Sequence, residues 1–166
     1  MTDKINLTEV CKEAKSIGIG GHVRPDGDCM GSTLALYQYL KKWNPKSSVT
    51  VYLEEASEIF SVIPGFDKVE HTFPDVPGHD VFFVLDCEKE RLGGAKKYFD
   101  AATTTINIDH HITNQGCAEF NYILHTASST CELVYDLMLP EYMDAEIAKT
   151  LYIGIIHDTG VLQYSN

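Results

Sequence analysis

The stretch Val81-Phe82-Phe83-Val84-Leu85-Asp86 is a continuous apolar run closed by an acid, and Thr103 to Ile108, closed by Asp109, repeats that form. A strand that alternates apolar and polar residues buries one face, whereas a run apolar throughout suits burial on both. These two segments therefore read as strands of a parallel sheet covered by helices. Working outward, Ile17 to Val23 (IGIGGHV), Val49 to Leu53 and Phe120 to Leu124 supply further strands, and the glycines of the first permit close packing. Helical periodicity fills the gaps. Cys29, Thr33, Leu36, Leu40 and Trp43 form one stripe along Asp28 to Trp43, widened by Met30, Leu34 and Tyr37. Leu7 to Ala14, a short Ser57 to Ile63 segment ended by Pro64-Gly65, and Arg91 to Phe99 read as further helices. Ser129-x-x-Glu132 is a capping-box pattern that opens a helix to about Leu139. Asp144 caps a last helix whose apolar face is Ile147, Ala148, Leu151, Tyr152, Ile155 and Ile156. The alternation predicts an α/β fold, a doubly wound, mainly parallel sheet with helices on both faces. Ligands of such sheets bind beyond the carboxyl ends of the strands.

Composition narrows the function classes. The 166 residues, 44% of them apolar, suit a single domain. Thirteen basic residues against 24 acidic ones give a net charge of -11, which excludes a basic surface for long duplex nucleic acid. No apolar run approaches the roughly 20 residues that span a bilayer, so no membrane partner is expected. The start Met1-Thr2-Asp3-Lys4 is too polar for a signal peptide. Five scattered cysteines without a Cys-x-x-Cys pair or zinc-ligand spacing point to a reducing cytoplasm.

The chemistry sits in four clusters that follow apolar runs. They are His22-Val23-Arg24-Pro25-Asp26-Gly27-Asp28, then Asp86, then Asp109-His110-His111, and finally His157-Asp158. In an open α/β sheet the first three gather at one edge. Pro25 fixes a turn and Gly27 lets the backbone bend, so Asp26 and Asp28 can point the same way. Carboxylates and an imidazole form a hard oxygen/nitrogen set suited to Mn²⁺ or Mg²⁺. Asp26, Asp28, Asp86, Asp109 and Asp158 in one pocket would repel one another, and cations are the natural compensation. So many acids suggest two metals sharing a carboxylate. Two ions about 3.5–4 Å apart can activate water against a phosphoester. His71, His79 and His125 have no such setting.

Together, HVRPDGDCMGS (22–32), VLDCE (84–88), Asp109-His110-His111 and GIIHDTGVLQYSN (154–166) resemble the four ordered motifs of the DHH phosphoesterase superfamily. The segment Ala127-Ser128-Ser129-Thr130-Cys131-Glu132 is similar to the nanoRNase branch, which acts on short oligoribonucleotides and 3′-phosphoadenosine 5′-phosphate. The resemblance implies two Mn²⁺ ions. His22, Asp26 and Asp86 would hold one; Asp28, Asp86, His110 and Asp158 would hold the other, with Asp86 bridging. It implies that His111 faces the scissile phosphate and that Asp109 orients a histidine. Arg24 is a candidate phosphate contact, and Ser128, Ser129 and Thr130 either bind phosphate at a helix N-terminus or merely cap the helix. Members of that branch continue into a DHHA1 domain with a GGGH motif, and no such motif occurs between residues 1 and 166. The expectation is therefore a DHH catalytic domain alone, poorly active without its substrate clamp, with a homodimer left open. Two other readings compete, a cyclic-dinucleotide phosphodiesterase and a non-catalytic metal-stabilised interaction module.

Overall fold

The computed structural model describes residues 4–163. Five strands, β1 (Ser16–Gly20), β2 (Ser48–Tyr52), β3 (Val81–Leu85), β4 (Thr104–Asp109) and β5 (Phe120–Ile123), form one parallel sheet in the order β2-β1-β3-β4-β5. Five helices accompany them: α1 (Leu7–Cys11), α2 (Gly27–Trp43), α3 (Lys96–Ala101), α4 (Thr130–Leu137) and α5 (Ala145–Asp158).

The two faces of the sheet are covered unequally. Phe83 and Leu85 of β3 join Ile17, Ile19, Ile106 and Ile108 in a large core closed by α1, α2, α4 and α5. Phe82 and Val84 point the other way, into a smaller core with Leu92, Ala95, Tyr98 and Phe99 around α3. Every side chain of β3 is thus buried, as an unbroken apolar run requires. The glycines of β1 serve the thinner face. A Cβ on Gly18 would fall 2.5 Å from the Phe82 ring, so the ring lies where a β1 side chain would stand.

This order places a switch point between neighbouring strands. From β1 the chain passes through α2 on the thick face to β2; from β3 it passes through α3 on the thin face to β4. Connections that leave in opposite directions open a crevice at the carboxyl ends of β1 and β3.

Several sequence boundaries shift. Strand β1 ends at Gly20, so His22 stands in the loop beyond it. The helix expected from Leu7 to Ala14 stops at Cys11, and the 57–63 segment is a 3-10 turn, Glu58–Val62. Arg91 to Phe99 divides into the 3-10 turns Lys89–Arg91 and Gly93–Ala95 followed by α3. Tyr152 is 63% exposed rather than inward, because α5 packs on α2 and leaves that side uncovered. The polar start (1–3) and the end of the last motif (164–166) lie outside the described residues. Among the described residues no helix is long and apolar enough to cross a membrane, and all five cysteines are free thiols.

Candidate metal centre

Each side chain of the first cluster is fixed by a local device. Asp26 is the N-cap of α2: its Oδ1 accepts from the amides of Asp28 and Cys29, both at 3.1 Å. That leaves Oδ2 to face His22 Nε2 at 3.7 Å. His22 Nδ1 donates to the Val23 carbonyl at 2.9 Å, which turns Nε2 inward, 3.4 Å from Asp86 Oδ2. Asp86 follows β3 in the left-handed region (φ +61), a conformation that aspartate tolerates better than most residues. The turn drives its carboxylate into the crevice, 2% exposed.

Asp28 is completely buried at the start of α2. Its two oxygens accept from the amides of Thr130 (2.6 Å) and Cys131 (2.9 Å), the first residues of α4. The Thr130 hydroxyl donates to Asp86 Oδ1 at 3.0 Å. The positive end of α4 therefore holds two acids in place. Of the two roles left open for this segment, phosphate binding or capping, Ser129 performs the second. Ser129 is fully buried and caps α4 by accepting from the Glu132 amide, the Ser128 amide donates to Glu132, and the next amides go to Asp28.

His110 Nε2 lies 3.8 Å from Asp28 Oδ2, 3.8 Å from Asp86 Oδ1 and 3.4 Å from Asp158 Oδ2, where α5 ends. It is one of only two buried side-chain polar atoms without a hydrogen-bond partner among the described residues. Asp158 reaches this point because α5 runs antiparallel to α2, with Gly154 against Asp28 and His157 against Gly27. The expected site residues His22, Asp26, Asp28, Asp86, His110 and Asp158 thus share one crevice.

Asp109 plays a different part. Its Oδ1 accepts from the His110 and His111 amides and, at 2.7 Å, from His111 Nδ1; its Oδ2 accepts from Asn114 at 2.6 Å. It is buried and orients His111, whose side chain is 41% exposed. Sequence reasoning missed the network behind it. Asn114 also donates to Asn107 Oδ1, and Asn107 donates to the carbonyls of Val84 and Cys87. An asparagine between Ile106 and Ile108 of β4 was the available signal, since a buried amide must find partners.

The electrostatics of the centre are those of a site short of positive charge. Burial and then Asp28 push the Asp86 carboxyl up to about 8, against the pull of His22. Burial and Asp28 also raise Asp158. Burial would lower His22, yet Asp26 and Asp86 together lift it to about 10. Burial would likewise raise Asp26, but His22 and the Cys29 amide hold it at about 2. Protons collect where carboxylates crowd. A divalent cation satisfies the same demand more fully, and ligands bound at about 2.1 Å stand only about 3 Å apart. Nearly that spacing exists here, including for a nitrogen, His110 Nε2, that has nothing else to bind. The residues fit a metal.

Fold and site together define an α/β protein with an acidic, histidine-bearing centre at the sheet switch point. The chain belongs to the DHH family: residues 16–155 match its N-terminal domain. It is 29% identical over 164 residues to the bifunctional oligoribonuclease and PAP phosphatase NrnA of Thermus thermophilus, across 96% of this chain and 48% of that protein. It is 26% identical to the cyclic-di-AMP phosphodiesterase PdeA of Listeria monocytogenes, across 92% of this chain and 26% of that one. The crystal structure of an exopolyphosphatase-related protein from Bacteroides fragilis superposes with a TM-score of 0.86 at 26% identity, across 95% of this chain and 50% of that one. The chain spans about half the length of the NrnA proteins it matches.

Proposed function

We propose that this chain is the catalytic domain of a cytoplasmic, Mn²⁺-dependent phosphoesterase that hydrolyses short oligoribonucleotides, 3′-phosphoadenosine 5′-phosphate, or both. The observation that carries the reading is His110 Nε2, a buried nitrogen with no hydrogen-bond partner, facing the carboxylates of Asp28, Asp86 and Asp158, while the other oxygen of Asp86 faces His22 beside Asp26. We assign His22, Asp26 and Asp86 to one ion, and Asp28, Asp86, His110 and Asp158 to a second. Asp86 is shared because its two oxygens face different histidines, Oδ2 toward His22 and Oδ1 toward His110. When bound, such a pair supplies water activation and charge neutralisation at the phosphoryl oxygens.

The remaining work falls to the protein's own groups. The Asp109 carboxylate, bonded to Nδ1, raises the His111 ring to about 9. That favours the protonated ring, which would offer an N–H to an anionic phosphate entering the crevice. Asp109 is a positioning residue, because its oxygens are taken by His110, His111 and Asn114. The NrnA relatives support this choice of substrate class.

The test measures metal content, melting temperature and hydrolysis on one sample. Mn²⁺ added after chelation should raise the melting temperature, since a ligand bound only by the folded state stabilises it. It should also restore hydrolysis of bis(p-nitrophenyl) phosphate and of dinucleotides. Saturating Mn²⁺ that changes neither quantity would overturn the reading. The PdeA relative supports a second reading, cleavage of a cyclic dinucleotide; preference for cyclic di-AMP over linear dinucleotides would favour it.

A further inference from the structure

His111 Nδ1 stands near two carboxylates. Asp109 Oδ1 lies 2.7 Å away and Asp86 Oδ1 lies 3.7 Å away, so a competing acceptor stands close behind the one in use. The competitor is the acid assigned above to both ions. A ring that swung to Asp86 would occupy an oxygen the centre needs and leave its place beside an incoming phosphate.

Asp109 alone does not settle which acid takes the ring. A carboxylate held through one oxygen can pivot about that contact. Its Oδ1 accepts from His111 Nδ1 and the two histidine amides, and Asn114 Nδ2 fixes the other oxygen at 2.6 Å. Asn114 is buried and fully engaged. Its backbone amide donates to the His111 carbonyl at 3.1 Å, and its Oδ1 accepts from the Gly116 amide at 2.8 Å. Its Nδ2 also donates to Asn107 Oδ1 at 3.0 Å. Asn107, buried in β4, donates to the carbonyls of Val84 (3.1 Å) and Cys87 (2.9 Å) on either side of Asp86. Asp86 has left-handed backbone, a conformation that persists where surrounding contacts hold it. The two amides therefore brace the turn that presents Asp86 against the loop that presents His111.

Resting on the phosphoesterase reading above, we propose that Asn114 is a positioning residue for the reaction. Acting through Asp109, it keeps the His111 ring off Asp86, and Asn107 anchors it to the turn of the shared ligand. A side-chain amide suits this post, because it brings two N–H donors and an acceptor without charge. An apolar side chain would leave Asp109 Oδ2 buried and unpaired. An aspartate would set a second carboxylate against it.

The experiment compares Asn114→Ala, Asn114→Asp and Asn121→Ala with wild type. It measures melting temperature, Mn²⁺ stoichiometry, hydrolysis of bis(p-nitrophenyl) phosphate, and the imidazole N–H spectrum of ¹⁵N-histidine-labelled protein with diamagnetic Mg²⁺. Asn121 controls for the loop itself, since its side chain holds the Cys117 and Ala118 amides instead of Asp109. Wild type should show a downfield Nδ1–H signal that disappears in His111→Gln. Asn114→Ala should keep both ions, lower kcat about 10–100-fold with KM little changed, and lose that signal. Asn114→Asp, which keeps the shape, should lose the signal too and lower kcat at least as far. Asn121→Ala should lower the melting temperature while keeping both kcat and the signal. The assignment is overturned by a wild type without the signal, or by Asn114 variants that keep it. It is equally overturned by kcat loss that accompanies loss of the ions, or by the same kcat loss in Asn121→Ala. Failure of the phosphoesterase reading registers separately, as a wild type that hydrolyses no ester while the N–H signal still responds to Asn114.

Discussion

The backbone amide of Thr130 donates to Asp28 Oδ2 at 2.6 Å, joining the first turn of α4 to the first turn of α2 across 102 residues. The same residue donates its hydroxyl to Asp86. A helix N-terminus that would suit a free anion is thus committed to two carboxylates of the protein, and α4 serves the centre as a clamp for its acids.

Thr130→Val removes the hydroxyl while keeping the amide and the shape of the side chain. Asp28 stays held, whereas Asp86 loses its fixed orientation. Metal affinity should fall about 10–100-fold, as for other groups that orient a ligand. Titration of the chelated protein with Mn²⁺ measures this directly, and unchanged affinity would remove Thr130 from the supporting shell.

Asp86 and Asp109 should separate cleanly. Asp86 presents one oxygen toward His22 and the other toward His110, while the oxygens of Asp109 are taken by His110, His111 and Asn114. Asp86→Asn should therefore eliminate binding of two ions. Asp109→Asn should keep both ions with weakened affinity and lose activity through a misplaced His111. Metal stoichiometry decides, and two tightly held ions in Asp86→Asn would refute the shared ligand.

A pH prediction comes from the thin face of the sheet, away from the metal centre. His79 accepts or donates at both ring nitrogens, to Ser16 Oγ at 2.7 Å and to Tyr52 Oη at 3.1 Å, and burial lowers its pKa below the usual histidine value. The unfolded chain then binds a proton near pH 6.5 that the folded protein refuses. Stability contributed by neutral His79 is present above that pH and is lost as pH falls toward the depressed value, by up to about 1.4 kcal/mol per pH unit. His79→Gln should lower stability at pH 7.5 and show a shallower decline to pH 5.5 than wild type. Parallel declines in urea midpoint would show that His79 does not contribute.

Much of this was legible in the sequence because β3 is apolar at every position, β4 carries Ile106 and Ile108, and an acid closes each, Asp86 and Asp109. A parallel sheet then brings residues after β1, β3 and β4 to one edge, which is why His22, Asp26, Asp28, Asp86 and His110 could be grouped. What stayed hidden depended on contacts between distant segments. Whether Ser129 and Thr130 face solvent or Asp28 is settled only by how α4 packs on α2. Asn107 was visible as a polar residue between two isoleucines, but its partner Asn114 lies in a loop whose course had to be seen.

The close approach of α2, α4 and α5 supplies the last prediction. A Cβ on Gly154 would lie 2.2 Å from Cys131 Sγ and 3.3 Å from Asp28 Oδ1, with the Gly27 carbonyl at 3.2 Å. Cys131 is fully buried, so its sulfur has no solvent to retreat into. Gly154→Ala must push α5 away from α4, at a cost of about 1–3 kcal/mol for overpacking a filled core. The displacement acts on the centre as well, because Asp158 stands one turn beyond Gly154 and reaches His110 from there. Both stability and Mn²⁺ affinity should therefore fall in Gly154→Ala. Cys131→Ala opens the space that the new methyl needs, so the double variant should recover most of both losses. Urea unfolding and Mn²⁺ titration of the two single variants and the double variant form a complete cycle, since residues in direct contact are the ones expected to couple. Strictly additive losses in the double variant would mean that the sulfur is not what the methyl strikes.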